Sequence, residues 1–204
     1  MPLHITSYKF LMHGQQHDND IVQSVLDGNK SAYSILVDRY RDYVFTIINR
    51  LVPQREEAED IGQEVFVKAY LSLAGFKGIS KFSTWLYSIA HTTAISHLRK
   101  KLPRTVFAED EDLASYLDRK IAGNVAENKN TTRNAVNEAI KQLAPADAEI
   151  ITLFYLAEQT IEEIAVIINM EQGAIKVRLH RARQRLRAII EQSYGAEAKF
   201  LYKN

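Results

Sequence analysis

Between positions 36 and 51 apolar residues return at every third or fourth place: Leu36, Tyr40, Tyr43, Val44, Ile47, Ile48 and Leu51. Only a helix gathers that spacing into one stripe, since a strand would divide the same residues between two faces. A single-striped helix must bury its stripe against others of its kind. The chain supplies them. Pro53 closes the first helix, and a second follows over 54–76 with acids in its early turns, where they suit the helix dipole. Ile61, Val65, Ala69 and Leu73 face its core side. After a short break at 76–80, a third helix runs through the Trp85 segment to Lys101. With 8 Gly and 4 Pro in 204 residues, there is too little punctuation for a hairpin-rich fold. The expectation is all-α, with a helical bundle over 19–102.

The texture then changes. Residues 103–133 hold an acidic cluster, Glu109, Asp110, Glu111 and Asp112, and little periodicity, which predicts a linker. Helical pattern resumes over 134–192, with Pro145 placed for a first helical turn. Residues 1–18 and 193–204 are expected to be tails. The fold class is thus two small helical domains, a bundle and a helix-turn-helix domain, joined by an acidic linker.

Residues 160–187 carry the helix-turn-helix signal. Thr160 with Glu163 three places on is a capping box. Ile161, Ile164, Ala165 and Ile168 share one side, and small Ala165 admits a crossing helix. Asn169 suits a left-handed helix end. The next helix turns Ile175, Leu179, Ala182 and Leu186 inward, leaving Lys176, Arg178, Arg181, Arg183 and Arg185 on the remaining surface with no acid between Gly173 and Arg187. Such a helix can lie in the DNA major groove, where Arg and Lys reach guanine edges and phosphates. A solvated basic face is the plainer alternative. The tight turn and the missing acids favour DNA.

The first module adds a second, independent pattern. Asp60, Gln63, Glu64 and Val67 follow helical spacing on an outward strip. Glu64 could equally pair with Lys68 one turn on, worth only ~0.2–0.5 kcal/mol. Beyond it Phe76, Phe82, Trp85 and Tyr87 alternate with Lys77, Lys81, Arg99, Lys100 and Lys101. Aromatic faces stack on unpaired bases while the cations follow phosphates. Trp85 reads equally as core or as a base contact. Lys81, Phe82, Ser83 and Thr84 read as a polar loop open to a strand.

The segment over 58–101 resembles region 2 of bacterial sigma factors, in particular the small two-domain extracytoplasmic-function (ECF) group, and 135–190 resembles their region 4. The resemblance implies that Asp60, Gln63, Glu64 and Val67 dock on the clamp helices of core RNA polymerase. It implies that Lys77, Lys81, Phe82, Ser83, Thr84, Trp85, Arg99 and Lys100 bind the melted minus-ten strand. Gly173, Ala174, Lys176, Val177, Arg178, Arg181 and Arg183 would bind the minus-thirty-five duplex. The match is imperfect at the second site: Glu171 stands where the family commonly has Ser, and Ala174 and Val177 stand where small hydroxyl residues often face DNA. The resemblance also implies promoter DNA and an anti-sigma factor as partners. In the linker the acids could mimic nucleic-acid charge or simply form a solvated loop.

Composition narrows the field. The 46% hydrophobic, 25% charged chain has a formal net charge of +1, which excludes a uniformly basic binder. It has no cysteine, hence no disulfide or thiolate site. There is no secretory start and no eighteen-residue apolar run, so a cytoplasmic protein without membrane insertion is expected. His91 and His97 lie six residues apart, off one face, so no metal is expected. No phosphate loop or nucleophile context points to an enzyme or a cofactor. A stand-alone helix-turn-helix regulator would explain the basic helix, but not the aromatic and acidic surfaces of the first module.

Overall fold

The computed structural model describes residues 17–52, 54–101 and 132–194. The expected linker and most of both tails lie outside these. As the periodicity predicts, the described elements are helical: α1 (Asp18–Leu26), α2 (Tyr33–Leu51), α3 (Arg55–Leu71), α4 (Phe82–Lys101), α5 (Thr132–Lys141), α6 (Pro145–Ile151), α7 (Ile161–Ile168) and α8 (Gln172–Tyr194). Short 3-10 turns at Lys30–Ala32 and Leu73–Gly75 join the early helices, and α6 runs on into a π-helical turn, Thr152–Leu156.

Helices α2, α3 and α4 pack mutually, with α1 laid against α2. The α2 stripe explains this: Leu36, Val44, Ile47, Ile48 and Leu51 are buried, Tyr40 is partly buried, and Tyr43 sits at the exposed margin. Each such Leu or Ile contributes about 1.5–3 kcal/mol on burial. Gly62 of α3 faces α2, with Ile48 Cδ1 3.9 Å from where a Cβ would stand, an ordinary packing distance. The start of α1 is tied down as Asp18 accepts hydrogen bonds from Arg39 and from Tyr40 Oη, the latter at 2.5 Å.

The second domain is built on α8, which packs against α5, α6 and α7. Pro145 occupies the first turn of α6. Thr160 and Glu163 form the predicted capping box of α7, and Asn169 ends that helix at φ 52°, ψ 51°. The turn into α8 is then three residues long, and Ile175, Leu179 and Ala182 are buried beneath it.

The two domains do not hang apart. α4 packs against α7, and α2 against α6 and the π turn. One continuous apolar core runs from Ile21 of α1 to Ala182 of α8.

Candidate nucleic-acid interface

Three surfaces carry the residues singled out from sequence. On α3, Asp60, Gln63, Glu64 and Val67 all lie exposed on one strip, backed by buried Ile61, Val65 and Ala69. Val67 is 57% exposed, and Leu71 extends the strip at 77%. Two large apolar side chains held in water beside carboxylates are what a docking face needs and a solvated face does not. Glu64 does pair with Lys68, at 2.7 Å, and that hydrogen bond holds its carboxyl below the usual range. Both contacts stay in solvent, so the pair can yield to a partner.

The second surface surrounds the start of α4. Lys81 ends the preceding loop and is exposed, but Phe82, Ser83 and Thr84 are not loop residues. They form the first turn of α4 and are 2%, 8% and 1% exposed. Their sequence reads as polar because two are hydroxyl residues, yet all three are buried, Phe82 among aromatic rings of its own domain and Thr84 against Gln159 of the second. Phe82 stacks with Phe76 (5.5 Å between centroids) and with Trp85 (5.6 Å), and Phe76 meets Trp85 at 5.3 Å. Trp85 therefore packs in an aromatic cluster while keeping one side open. Tyr87 is buried. Lys77 is exposed in the loop, which turns at Gly78 (φ 67°), a conformation that a side chain would strain. Ile79 at its tip is 89% exposed, an apolar residue that no periodicity rule could single out. Arg99 and Lys100 lie exposed at the far end of α4, well over three turns from Lys81. A strand touching both groups must run the length of that helix.

The third surface is α8, where the arginines divide. Arg178 Nε donates to Asp147 Oδ1 at 3.0 Å, and Arg185 donates to the other oxygen, Oδ2. Asp147 is 1% exposed, in the first turn of α6 where the helix dipole favours an anion. Arg183 lies over the rings of Phe154 and Tyr155, 5.5 and 5.8 Å from their centroids. These three guanidiniums fasten α8 to its own domain, whatever else they touch. The outermost ridge belongs instead to Gly173, Val177, His180, Arg181 and Gln184, with Ala174 and Lys176 on its flanks, all exposed. Sequence reasoning missed His180 and Gln184 because it followed charge. Spacing from the buried Ile175–Leu179–Ala182 row would have found them, since both stand opposite it on the helical wheel.

The space between α4 and the second domain is polar and closely paired. Lys81 Nζ meets Glu163 Oε1 at 2.9 Å, and Thr84 Oγ1 donates to Gln159 Oε1 at 3.1 Å. His91 Nδ1 lies 2.8 Å from Glu149 Oε1, and Arg50 Nε donates to Thr152 Oγ1 at 3.2 Å. Burial depresses the His91 imidazole, but the charge and hydrogen bond of Glu149 outweigh that and raise its pKa, against Arg99. Partial burial lifts the Glu163 carboxyl, yet the Thr160 backbone N–H and Lys81 hold it low overall.

The family models for Sigma-70 region 2 and Sigma-70 region 4 match residues 36–102 and 133–186. The ECF RNA polymerase sigma factor SigW of Bacillus subtilis is 34% identical over 173 residues, which cover 81% of this chain and 92% of SigW. The chain belongs to the ECF sigma factors. The ECF sigma-E factor of Escherichia coli K12 is 33% identical over 85% of this chain and 94% of its own length. The RNA polymerase sigma-H factor of Pseudomonas aeruginosa is 33% identical over 83% and 92%. Among solved structures, CnrH in complex with the cytosolic domain of CnrY has TM-score 0.60 at 20% identity, covering 86% of this chain and 97% of CnrH. RpoE of Bartonella quintana, in complex with the anti-sigma factor NepR, has TM-score 0.59 at 21%, covering 78% and 96%. This sigma factor is thus a promoter-recognition subunit that directs RNA polymerase to start transcription. Among its described residues no helix is long and apolar enough to cross a membrane.

Proposed function

We propose that this sigma factor divides its work among the three surfaces: α3 docks on core polymerase, the start of α4 holds the melted minus-ten strand, and α8 reads the minus-thirty-five duplex. It recognises and positions, and the polymerase performs the chemistry in the cytoplasm. The observation that carries the reading is the α8 ridge. Its base is packed by Ile175, Leu179 and Ala182, while Val177, His180, Arg181 and Gln184 stand clear. That is the arrangement a major-groove helix requires. Lys176 and Arg181 supply the cations for phosphate or guanine, and His180 and Gln184 supply neutral donors and acceptors for base edges. Gly173 lies exposed before them, with Glu171 Oε2 4.0 Å from where its Cβ would stand.

On α3, Asp60, Gln63, Glu64 and Val67 present acids around an apolar centre that Leu71 enlarges. At the α4 surface Lys77 and Lys81 follow the backbone. Trp85 with Phe76 and Phe82 gives a stacking wall, each stacked base contributing ~1–3 kcal/mol; Ser83 and Thr84 supply hydroxyls, and Arg99 and Lys100 take phosphates further on. The use of Thr84 requires Gln159 of the second domain to move away. An anti-sigma factor is a further partner, supported by the complex of the Bartonella quintana relative with NepR.

Run-off transcription tests this. Purified chain added to core polymerase on genomic fragments should yield discrete transcripts, and Asp60→Lys or Glu64→Lys should abolish them through loss of core binding, with helical content unchanged by circular dichroism. A reversed charge at the centre of a docking patch costs ~2 kcal/mol or more, about thirtyfold in affinity. Normal core binding by both variants would refute the α3 assignment. Duplex binding by the free chain with no transcripts would instead indicate a stand-alone regulator.

A further inference from the structure

The cations of α8 are sorted. The helix carries Lys176, Arg178, Arg181, Arg183, Arg185 and Arg187, although the whole chain has a formal net charge of only +1. Arg178 and Arg185 stand seven places apart and so fall on one flank of the helix, with Arg181 between them and nearer the reading ridge. Both are drawn onto one carboxylate, Arg178 on Asp147 Oδ1 and Arg185 on Oδ2. Arg187 is drawn along the helix onto Glu191, at 2.8 Å. Lys176 and Arg181 are exposed, and among the described residues no acid pairs with either. Arg183 rests on the Phe154 and Tyr155 rings, which hold a cation without cancelling its charge. Fastening alone does not call for a buried acid. Asp147 is 1% exposed with both of its oxygens used. Taking a carboxylate out of water is costly, and an apolar residue of similar volume often joins two helices as well or better. What an apolar residue cannot do is hold two guanidiniums to the protein and cancel a charge between them.

We propose that Asp147 is a specificity-determining residue: it withholds Arg178 and Arg185 from the DNA backbone, so that α8 grips duplex of arbitrary sequence weakly and depends on its ridge for a firm hold. The inference rests on the duplex-reading role given above to α8. Without Asp147, the guanidiniums of Arg178, Arg181 and Arg185 would line one flank of a groove-bound helix and face a run of phosphates. Each phosphate contact steepens the fall of log affinity with log salt by ~0.9 and strengthens binding to every sequence alike. A promoter competes with roughly 10⁶–10⁹ other sites in a genome, so binding that ignores sequence lowers the useful ratio even as it raises affinity. Asp147 removes part of that indifferent grip. It leaves the ridge residues Val177, His180, Arg181 and Gln184 where they are.

Asp147→Asn tests this, because Asn keeps the shape and one acceptor but not the charge. Complexes of core polymerase with the parent chain or a variant are titrated with two labelled duplexes of equal length at several salt concentrations. One duplex carries a promoter found by run-off transcription, and the other has random sequence. The core is common to every complex, so differences belong to the chain, and melting curves report that each variant is folded. Lys176→Ala sets the scale, with a slope shallower by ~0.9 on both duplexes. Asp147→Asn should steepen the slope on random duplex by ~0.9 for each guanidinium released, and lower the promoter-to-random ratio. Arg185→Gln, made with Asp147 in place, should keep the parent's slope. In a chain that also carries Arg178→Gln and Arg185→Gln, Asp147→Asn should have no effect on random duplex, because it acts through those arginines. A folded Asp147→Asn with the parent's slope overturns the inference, as does an effect that survives without the two arginines. Where Asp147→Asn does not fold, Arg185→Gln decides: a loss of ~0.9 means that Arg185 reaches a phosphate in the parent and overturns the withholding. If Lys176→Ala and Arg181→Gln also leave both slopes unchanged, α8 does not grip duplex, and the inference falls with the reading beneath it.

Discussion

Among the described residues, helices α4 and α8 are both long and basic, and they treat their candidate nucleic-acid faces in opposite ways. α8 engages three arginines with its own domain, Arg178 and Arg185 on Asp147 and Arg183 on two aromatic rings, and keeps its outer ridge exposed. α4 holds Arg99 and Lys100 exposed and has its first turn buried, with Thr84 against Gln159 of the second domain. The face proposed to read duplex is thus preassembled and accessible, while the face proposed to hold the unpaired strand is largely buried. The difference matches the substrates: duplex DNA is always present, whereas an unpaired strand exists only once polymerase has opened it.

The comparison breaks most visibly at Asp147. Asp147→Ala strands two guanidiniums and should cost about 2–4 kcal/mol, less than a fully buried pair because both arginines can reach solvent. Thermal melting of the second domain checks this, and an unchanged midpoint would mean the inward arginines are not fasteners. Arg178→Ala sharpens the point, lowering the melting temperature without altering base preference at any upstream position.

Next in size are the ridge residues. Gln184→Ala or His180→Ala should relax discrimination at one promoter position by ~1–3 kcal/mol, if the side chain makes a paired base contact. Lys176→Ala should instead weaken all sequences alike and reduce the slope of log affinity against log salt by ~0.9, as for a phosphate contact. Binding of polymerase complexes to a set of single-position promoter variants at several salt concentrations separates the two.

The smallest effect concerns pH. The folded pKa of His91 is raised, so its pair with Glu149 contributes fully below the ordinary imidazole value of ~6.5 and is lost as pH rises through the folded value. The facing charges are Glu149 of α6 and, opposing, Arg99 of α4 itself. The melting temperature of the parent chain should therefore exceed that of His91→Gln at pH 6 and converge with it in alkaline buffer. A gap that widens with pH would reverse the assignment.

What could be read from the residues was what lies within a turn or two of chain. The α2 stripe, the Thr160–Glu163 box, Pro145 in the first turn of α6, Asn169 at the end of α7 and the outward strip on α3 all depend on neighbours three or four places away. Their geometry follows from helical spacing alone. The family resemblance was equally legible, because the two segments that carry it stand in order along the chain.

What only the folded molecule decided is which polar groups would spend their bonds on the protein. Arg178 looked as available as Arg181 until Asp147, thirty-one residues earlier, claimed it. Thr84 looked like loop until Gln159, seventy-five residues later, was laid on it. Helix spacing places a side chain on a face by short-range geometry. Whether that face meets water, DNA or another helix depends on contacts between segments far apart in the chain, which no local pattern encodes.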